Sequence, residues 1–480
     1  MPVDPRGLRA DAPLLDAWLS FHERPHLPFT IPGHKHRLDL VGDVVAGDVP
    51  LYGGLDTMGL ARGVLADAET RAAALWGADV CRFSVGGSTH GNQAVALALG
   101  GDGRRVVVSR TLHRSLLLGL VLAGLDPVWV RPVVDDLGMP RGLSPAALAD
   151  GLAAAPDAVA VFVGDPAYVG TVGDIAGLAR VAHGHRGGIP LVVDAAWGAH
   201  FGFHPALPRH GLARGADALV TSAHKTLPAW SQGALVLART DRLDRARLDA
   251  AVEATATTSP AGAILASIDA ARALLARDGE TLLGELVAQV TRARERLAAV
   301  PGLRVLDGPD VDPVKLTLLL AGTGADGTRI EDDLVARGMP VELADRDTLV
   351  AMVTLADDES RVRRLADTLA ELVERHRGRP RAAAGSVAWQ VDPVQATSPR
   401  AAYFAAHVDV PAARAVGRVC AELVAPYPPG IPVLAPGELV TAEALEALRA
   451  ARASGVRIAY AADPELATVR VVARTSDDRR

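Results

Sequence analysis

Short apolar runs alternating with amphipathic stretches constrain this chain more than any other feature. Arg105-Val-Val-Val-Ser, Ala158-Val-Ala-Val-Phe-Val-Gly, Pro190-Leu-Val-Val-Asp, Asp217-Ala-Leu-Val-Thr-Ser and Gly233-Ala-Leu-Val-Leu-Ala read as buried strands. Helical patterns lie between most of them, as at Ser144 to Ala154 and Asp174 to His183. Strands apolar on both faces and separated by helices predict a mostly parallel sheet with helices on each side, an α/β fold. Functional groups in such sheets collect at the carboxyl ends of the strands. Asp194, Ser222, His224 and Lys225 all fall there. From about Pro260 to Val300 the pattern is helical. Beyond Pro301, Arg304-Val-Leu, Lys315-Leu-Thr-Leu-Leu-Leu, a helix over Gly327 to Gly338 and Leu349-Val-Ala-Met-Val-Thr-Leu predict a smaller α+β domain. A loop-rich stretch, Arg377 to Arg400, and the turn-rich Ala425-Pro-Tyr-Pro-Pro-Gly-Ile-Pro follow.

A length of 480 residues is enough for two or three domains with a sizeable core. The net charge of −6 gives no basic field for nucleic acid. The longest apolar stretch, Leu116 to Leu125, is too short to span a bilayer. Cys81 and Cys420 have no metal-ligand spacing and suit a reducing compartment. The amino-terminal stretch lacks a signal-peptide pattern, so the expected location is the cytoplasm.

Lysine and arginine together number 50, yet only Lys35, Lys225 and Lys315 are lysines. Arginine stays protonated, whereas a desolvated lysine becomes a neutral amine nucleophile. Lys225, in Ser222-Ala-His-Lys-Thr-Leu, is a candidate of that kind; a surface lysine in a turn is the plainer alternative. Asp194 closes a strand, as a helix cap or as a carboxylate facing a cation. Ser84-Val-Gly-Gly-Ser-Thr-His-Gly-Asn opens a helix and fits a phosphate, with Gly87 allowing close approach and Ser88 and Thr89 offering hydroxyls. It also fits an ordinary capped loop. His113 either stacks on a flat cofactor or caps the following helix. His183, His185 and His210 are expected to face solvent.

In order and spacing these motifs resemble the Orn/Lys/Arg decarboxylases, enzymes of pyridoxal 5'-phosphate (PLP) with the aspartate-aminotransferase (type I) fold. The resemblance runs from Phe29-Thr-Ile-Pro-Gly-His-Lys through the Gly86-Gly87 turn, Val193-Asp-Ala-Ala-Trp-Gly-Ala-His-Phe and the Lys225 motif. It continues through Leu265-Ala-Ser-Ile-Asp-Ala-Ala-Arg and Ser398-Pro-Arg-Ala-Ala-Tyr-Phe to Pro436-Gly-Glu438. It implies decarboxylation of arginine, lysine or ornithine, on the way to polyamines. Lys225 would carry the cofactor, Asp194 would pair with its ring nitrogen and His113 would stack on the ring. Ser88, Thr89, Ser222 and His224 would hold the phosphate, with Trp197 and His200 beside the cofactor and Lys225 or His200 as the proton donor. His34, Lys35 and Glu438 would belong to the substrate pocket, Glu438 facing the distal cation. Lys315 is expected to be structural. The domains implied are an arm over 1–50, a PLP-binding domain over 51–290 and a smaller domain over 291–480. An aminotransferase or lyase reaction, or a silent PLP-fold relative, are the alternatives.

The sequence departs from the family's pattern in three places. Asp194-Ala-Ala-Trp197 stands where shorter members have Asp-Glu-Ala-His. Ser259-Pro-Ala-Gly262 stands where many have Ser-Pro-Ser-Tyr. The stretch before Pro32 is too short for the receiver-like domain of the large members, which implies a homodimer with sites at the interface.

Overall fold

The computed structural model describes residues 3–25, 29–49, 53–55, 63–135, 139–381, 391–392, 394–427, 431–453 and 456–474. Outside it lie Pro428, Pro429 and Gly430 of the turn-rich motif, residues 382–390 and 393 of the loop-rich stretch and residues 50–52, where the first domain boundary is expected.

Seven strands form the central sheet: β1 (Val80–Ser84), β2 (Arg104–Ser109), β3 (Leu125–Val130), β4 (Val161–Gly164), β5 (Leu191–Asp194), β6 (Ala218–Ser222) and β7 (Ala234–Ala238). Their order is β1-β7-β6-β5-β4-β2-β3. Only β7 runs antiparallel to its neighbours. Five strands match the expected runs. The two that the apolar pattern did not announce are the edges. β1 carries Arg82, which pairs with Glu69 and Asp249. β3 carries Pro127, which lacks an N–H and is tolerated at an edge.

Strand periodicity divides the core in two. Val107, Val161, Val163, Leu191, Val193, Leu219 and Leu237 face one layer. That layer also holds the 37-residue helix Gly262–Ala298. Val106, Val108, Phe162, Val192, Val220 and Val236 face the other, with Leu116, Leu117 and Leu120 of helix Arg114–Ala123. Helix Gly87–Leu99 sits tightly on this second face. A Cβ at Gly91 would come within 2.6 Å of Val220 and 2.9 Å of Val236, so only glycine permits the contact. The same reasoning accounts for Gly262, where relatives often have tyrosine. A Cβ there would lie 2.3 Å from Val49 and 3.0 Å from Leu55, because the amino-terminal arm packs on that spot.

A second, antiparallel sheet contains β8 (Arg304–Val305), β9 (Leu316–Leu319), β10 (Leu343–Ala344) and β11 (Thr348–Ala351), in the order β10-β11-β9-β8. Leu316, Leu318 and Leu349 share the first core layer with the large sheet. Residues 391–471 build a separate core around Val424, Leu434, Leu448 and Val471. Three histidines expected at the surface are partly covered instead. His183 meets Asp217 at 2.8 Å and His185 lies 3.2 Å from the Pro156 carbonyl. His210 stacks on Phe203, and burial pulls its imidazole down to about 4.

Candidate active site

The sheet brings together side chains far apart in sequence. β1 ends before the Gly86-Gly87 turn, β2 before His113, β5 at Asp194 and β6 before the helical turn Ala223–Thr226 that bears Lys225. A cavity of about 630 Å³ at these strand ends is lined by Gly87, Ser88, Thr89, His113, Asp194, Trp197, Ser222, His224 and Lys225. All nine expected cofactor-side residues therefore meet in one place.

At one end, Ser88 Oγ and Ser222 Oγ are 2.7 Å apart beside the start of helix Gly87–Leu99. The Gly87 N–H donates to the Gln232 carbonyl, which ties the turn to the loop before β7. His224 Nδ1 donates to the Gly233 carbonyl at 2.9 Å, so its Nε2 remains for another partner. These hydroxyls and helix-start amides suit an anion.

Asp194 is buried at the other end. Its Oδ2 accepts from Asn92 Nδ2 at 2.7 Å and its Oδ1 from the Ala196 N–H at 3.1 Å. Among the described residues no cationic side chain pairs with it. A carboxylate held by neutral donors and facing a cavity fits a protonated ring nitrogen, so the residues present fit PLP. Asn92 also reaches Ser115 Oγ at 3.0 Å, and Ser115 reaches His113 Nδ1 at 2.8 Å. Sequence reasoning passed over Asn92, although it closes the quoted glycine motif one turn beyond Ser88. The Ser115 N–H donates to His113 Nδ1, so His113 caps its helix while its ring lines the cavity. Burial lowers the His113 imidazole, against the opposing pull of Asp194.

Lys225 is half-buried. Burial lowers its amine below the ordinary lysine value, and Asp194 and Glu342 partly offset this. Its Nζ lies 4.0 Å from the centroid of the Trp197 ring. Tyr168 meets the same ring edge-on at 5.0 Å, and its hydroxyl lies 3.2 Å from Glu342 Oε1. Neither Tyr168 nor Glu342 carried a motif that would have singled it out.

The remaining expected residues lie elsewhere. His200 lines a separate small recess, where its Nε2 meets Asp312 Oδ2 at 3.1 Å. The turn after β5 directs it towards the second sheet, away from the large cavity. Glu438 is 1% exposed and paired with Arg110 through two hydrogen bonds, at 2.5 and 2.9 Å. It also accepts from the Ala435 N–H. With its charge thus matched, it is not a free carboxylate in the cavity. His34 meets Asp48 at 3.2 Å, and the Lys35 amine donates to the Thr30 carbonyl, both within the arm. Lys315, expected to be structural, has its Nζ 3.9 Å from the Trp197 centroid.

The sequence pattern of the Orn/Lys/Arg decarboxylase major domain matches residues 12–308, and that of the Orn/Lys/Arg decarboxylase C-terminal domain matches residues 383–457. The chain belongs to the Orn/Lys/Arg decarboxylase family. An arginine decarboxylase from Halalkalibacterium halodurans is 31% identical over 479 residues, covering 96% of this chain and 97% of the relative. An arginine decarboxylase from Bacillus subtilis is 28% identical over 482 residues, covering 96% and 98%. Among solved structures, lysine decarboxylase A from Pseudomonas aeruginosa superposes with a TM-score of 0.81. It is 21% identical and matches 97% of this chain and 81% of that one. The fold is the type I PLP fold, and the chain is a PLP-dependent decarboxylase of basic amino acids. Among the described residues, no helix is long and apolar enough to cross a membrane.

Proposed function

We propose that this family member decarboxylates arginine and that Lys225 carries its cofactor. The carrying observation is the meeting of Asp194, Lys225 and the Ser88–Ser222 pair in one cavity, each group suited to a different part of PLP. The names of near full-length relatives, arginine decarboxylases at 28–31% identity, favour arginine over lysine and ornithine.

When bound, PLP supplies an electron sink for the charge left on Cα as CO₂ departs. The protein's own groups orient and protonate. Burial keeps a fraction of the Lys225 amine neutral and therefore nucleophilic. Asp194, fixed by Asn92 and the Ala196 N–H, would pair with the ring nitrogen and favour its protonated form. Ser88, Thr89, Ser222 and His224 would hold the phosphate, and His113 would stack on the ring. Trp197 walls the cavity beside Lys225 and excludes water. With His200 turned to Asp312, Lys225 is the group that returns a proton to Cα.

The reading includes a cytoplasmic homodimer with its sites at the subunit interface. It divides the chain near residues 50 and 290, and it places the amine product on a route to polyamines. The test is CO₂ release from arginine, lysine and ornithine by PLP-loaded enzyme. Arginine should turn over fastest. Keto-acid formation in place of CO₂ release, or faster turnover of lysine, would overturn the assignment.

A further inference from the structure

Lys315 is the third of three lysines, and its position has no explanation in the scheme above. It stands next to β9 with its side chain buried, 7% exposed. Among the described residues its ammonium meets no carboxylate at ion-pair distance. Its Nζ instead lies 3.9 Å from the centroid of the Trp197 ring, against 4.0 Å for Lys225 Nζ. Two ammonium-bearing side chains thus share one indole. The Tyr168 ring, 5.4 Å from Lys315 Nζ, packs edge-on against that indole. Lys315 also lines a small recess with Trp197, His200, Thr226 and Asp312. Among the described residues, the buried His200 Nδ1 and Thr226 Oγ1 have no hydrogen-bond partner. A cation so placed is held by the electron-rich ring face, not by a counter-ion.

We propose that Lys315 is a positioning residue for the reaction at Lys225, its ammonium holding the Trp197 indole as a wall shared by the two lysines. The proposal rests on Lys225 being the residue that carries the cofactor. It places the second sheet in direct mechanical contact with the reacting lysine, through one aromatic ring.

The arrangement has an electrostatic consequence. Lys225 faces Asp194, Glu342, His113 and Lys315; Lys315 faces Asp312, His200, Glu342 and Lys225. Burial brings Lys315 down to about 8, with Asp312 and Glu342 opposing the shift and Lys225 adding to it. Each lysine therefore disfavours the charge of the other. Removing the Lys315 charge should make the nitrogen of Lys225 easier to protonate.

The test compares Lys315→Met, Lys315→Arg, Trp197→Leu and the double variant Trp197→Leu/Lys315→Met, all loaded with PLP. Visible absorbance without substrate reports protonation at the Lys225–cofactor linkage. Its midpoint should rise by roughly one pH unit in Lys315→Met and stay near the parent's in Lys315→Arg, which keeps the charge. Lys315→Met should lower kcat about tenfold and leave KM little changed. The double variant should lose no more than Trp197→Leu alone, because both changes remove the same wall. A parental midpoint and kcat in Lys315→Met, or losses that multiply in the double variant, would overturn the proposal. If Lys315→Met does not fold, Lys315→Gln takes its place: a raised midpoint with a lowered kcat supports the role, and a parental midpoint and kcat end it. Borohydride trapping of PLP in the parent separates this from the broader reading. Failure to trap on Lys225 removes the cofactor assignment, whereas normal trapping with unaffected Lys315 variants removes only this inference.

Discussion

The cofactor side of the site and the side expected to meet substrate are built by different means. Gly87, Ser88, Thr89, His113, Asp194, Ser222, His224 and Lys225 follow the ends of strands in a single sheet, so forming that sheet brings them together. His34, Lys35 and Glu438 belong to an arm and to the separate core over 391–471. In the folded chain His34 and Lys35 are occupied within the arm, and Glu438 is paired with Arg110, just beyond β2. The contrast teaches that a motif on strand ends becomes a site as soon as the sheet forms. A motif on peripheral segments needs packing or assembly to become one.

The largest expected effect concerns the cofactor side. Lys225→Ala should lower turnover by at least about 10³-fold and abolish borohydride trapping of PLP. Retained trapping on another lysine would break the assignment. On the other side, Arg110→Met leaves the Glu438 carboxylate buried without its partner and should cost about 3–5 kcal/mol of stability by denaturant titration. Arg110→Met/Glu438→Leu should recover most of that loss. If Glu438→Gln instead raises KM for arginine while Tm is unchanged, Glu438 belongs with the substrate and the contrast weakens.

Asp194→Ala should leave weakened PLP binding and slow kcat by about 10²-fold, since it removes a charge aimed at the ring and little packing. Parental kcat would take Asp194 out of its role. The smallest effect is in pH. Burial lowers the Lys225 amine, so its neutral form persists to lower pH than in an ordinary lysine. The rate at which apoenzyme captures PLP should therefore rise with pH to a midpoint below 10.5. A midpoint at or above that value would mean that Lys225 is not desolvated in solution.

The large sheet was legible because Val106 to Val108, Val161 to Val163 and Leu191 to Val193 are apolar on both faces. The edge strands were not, because Arg82 and Pro127 interrupt that pattern where an edge tolerates it. The cofactor-side residues were legible for the same reason as the sheet: each follows a strand end within a few residues. Asn92 was visible within the glycine motif, but only its 2.7 Å contact gives it a function.

The sequence by itself determined the α/β architecture, the family and the residues that meet in the large cavity, because local periodicity and short motifs encode strands and the turns that end them. Only the tertiary structure decided the partners of the buried charges. Glu438 meets Arg110 from 328 positions away and His200 meets Asp312 from 112 away. Lys315 reaches the same indole as Lys225 from a different sheet. Burying a charge is costly unless something answers it. What answers each of these depends on which surfaces pack together, a property no local stretch of sequence carries.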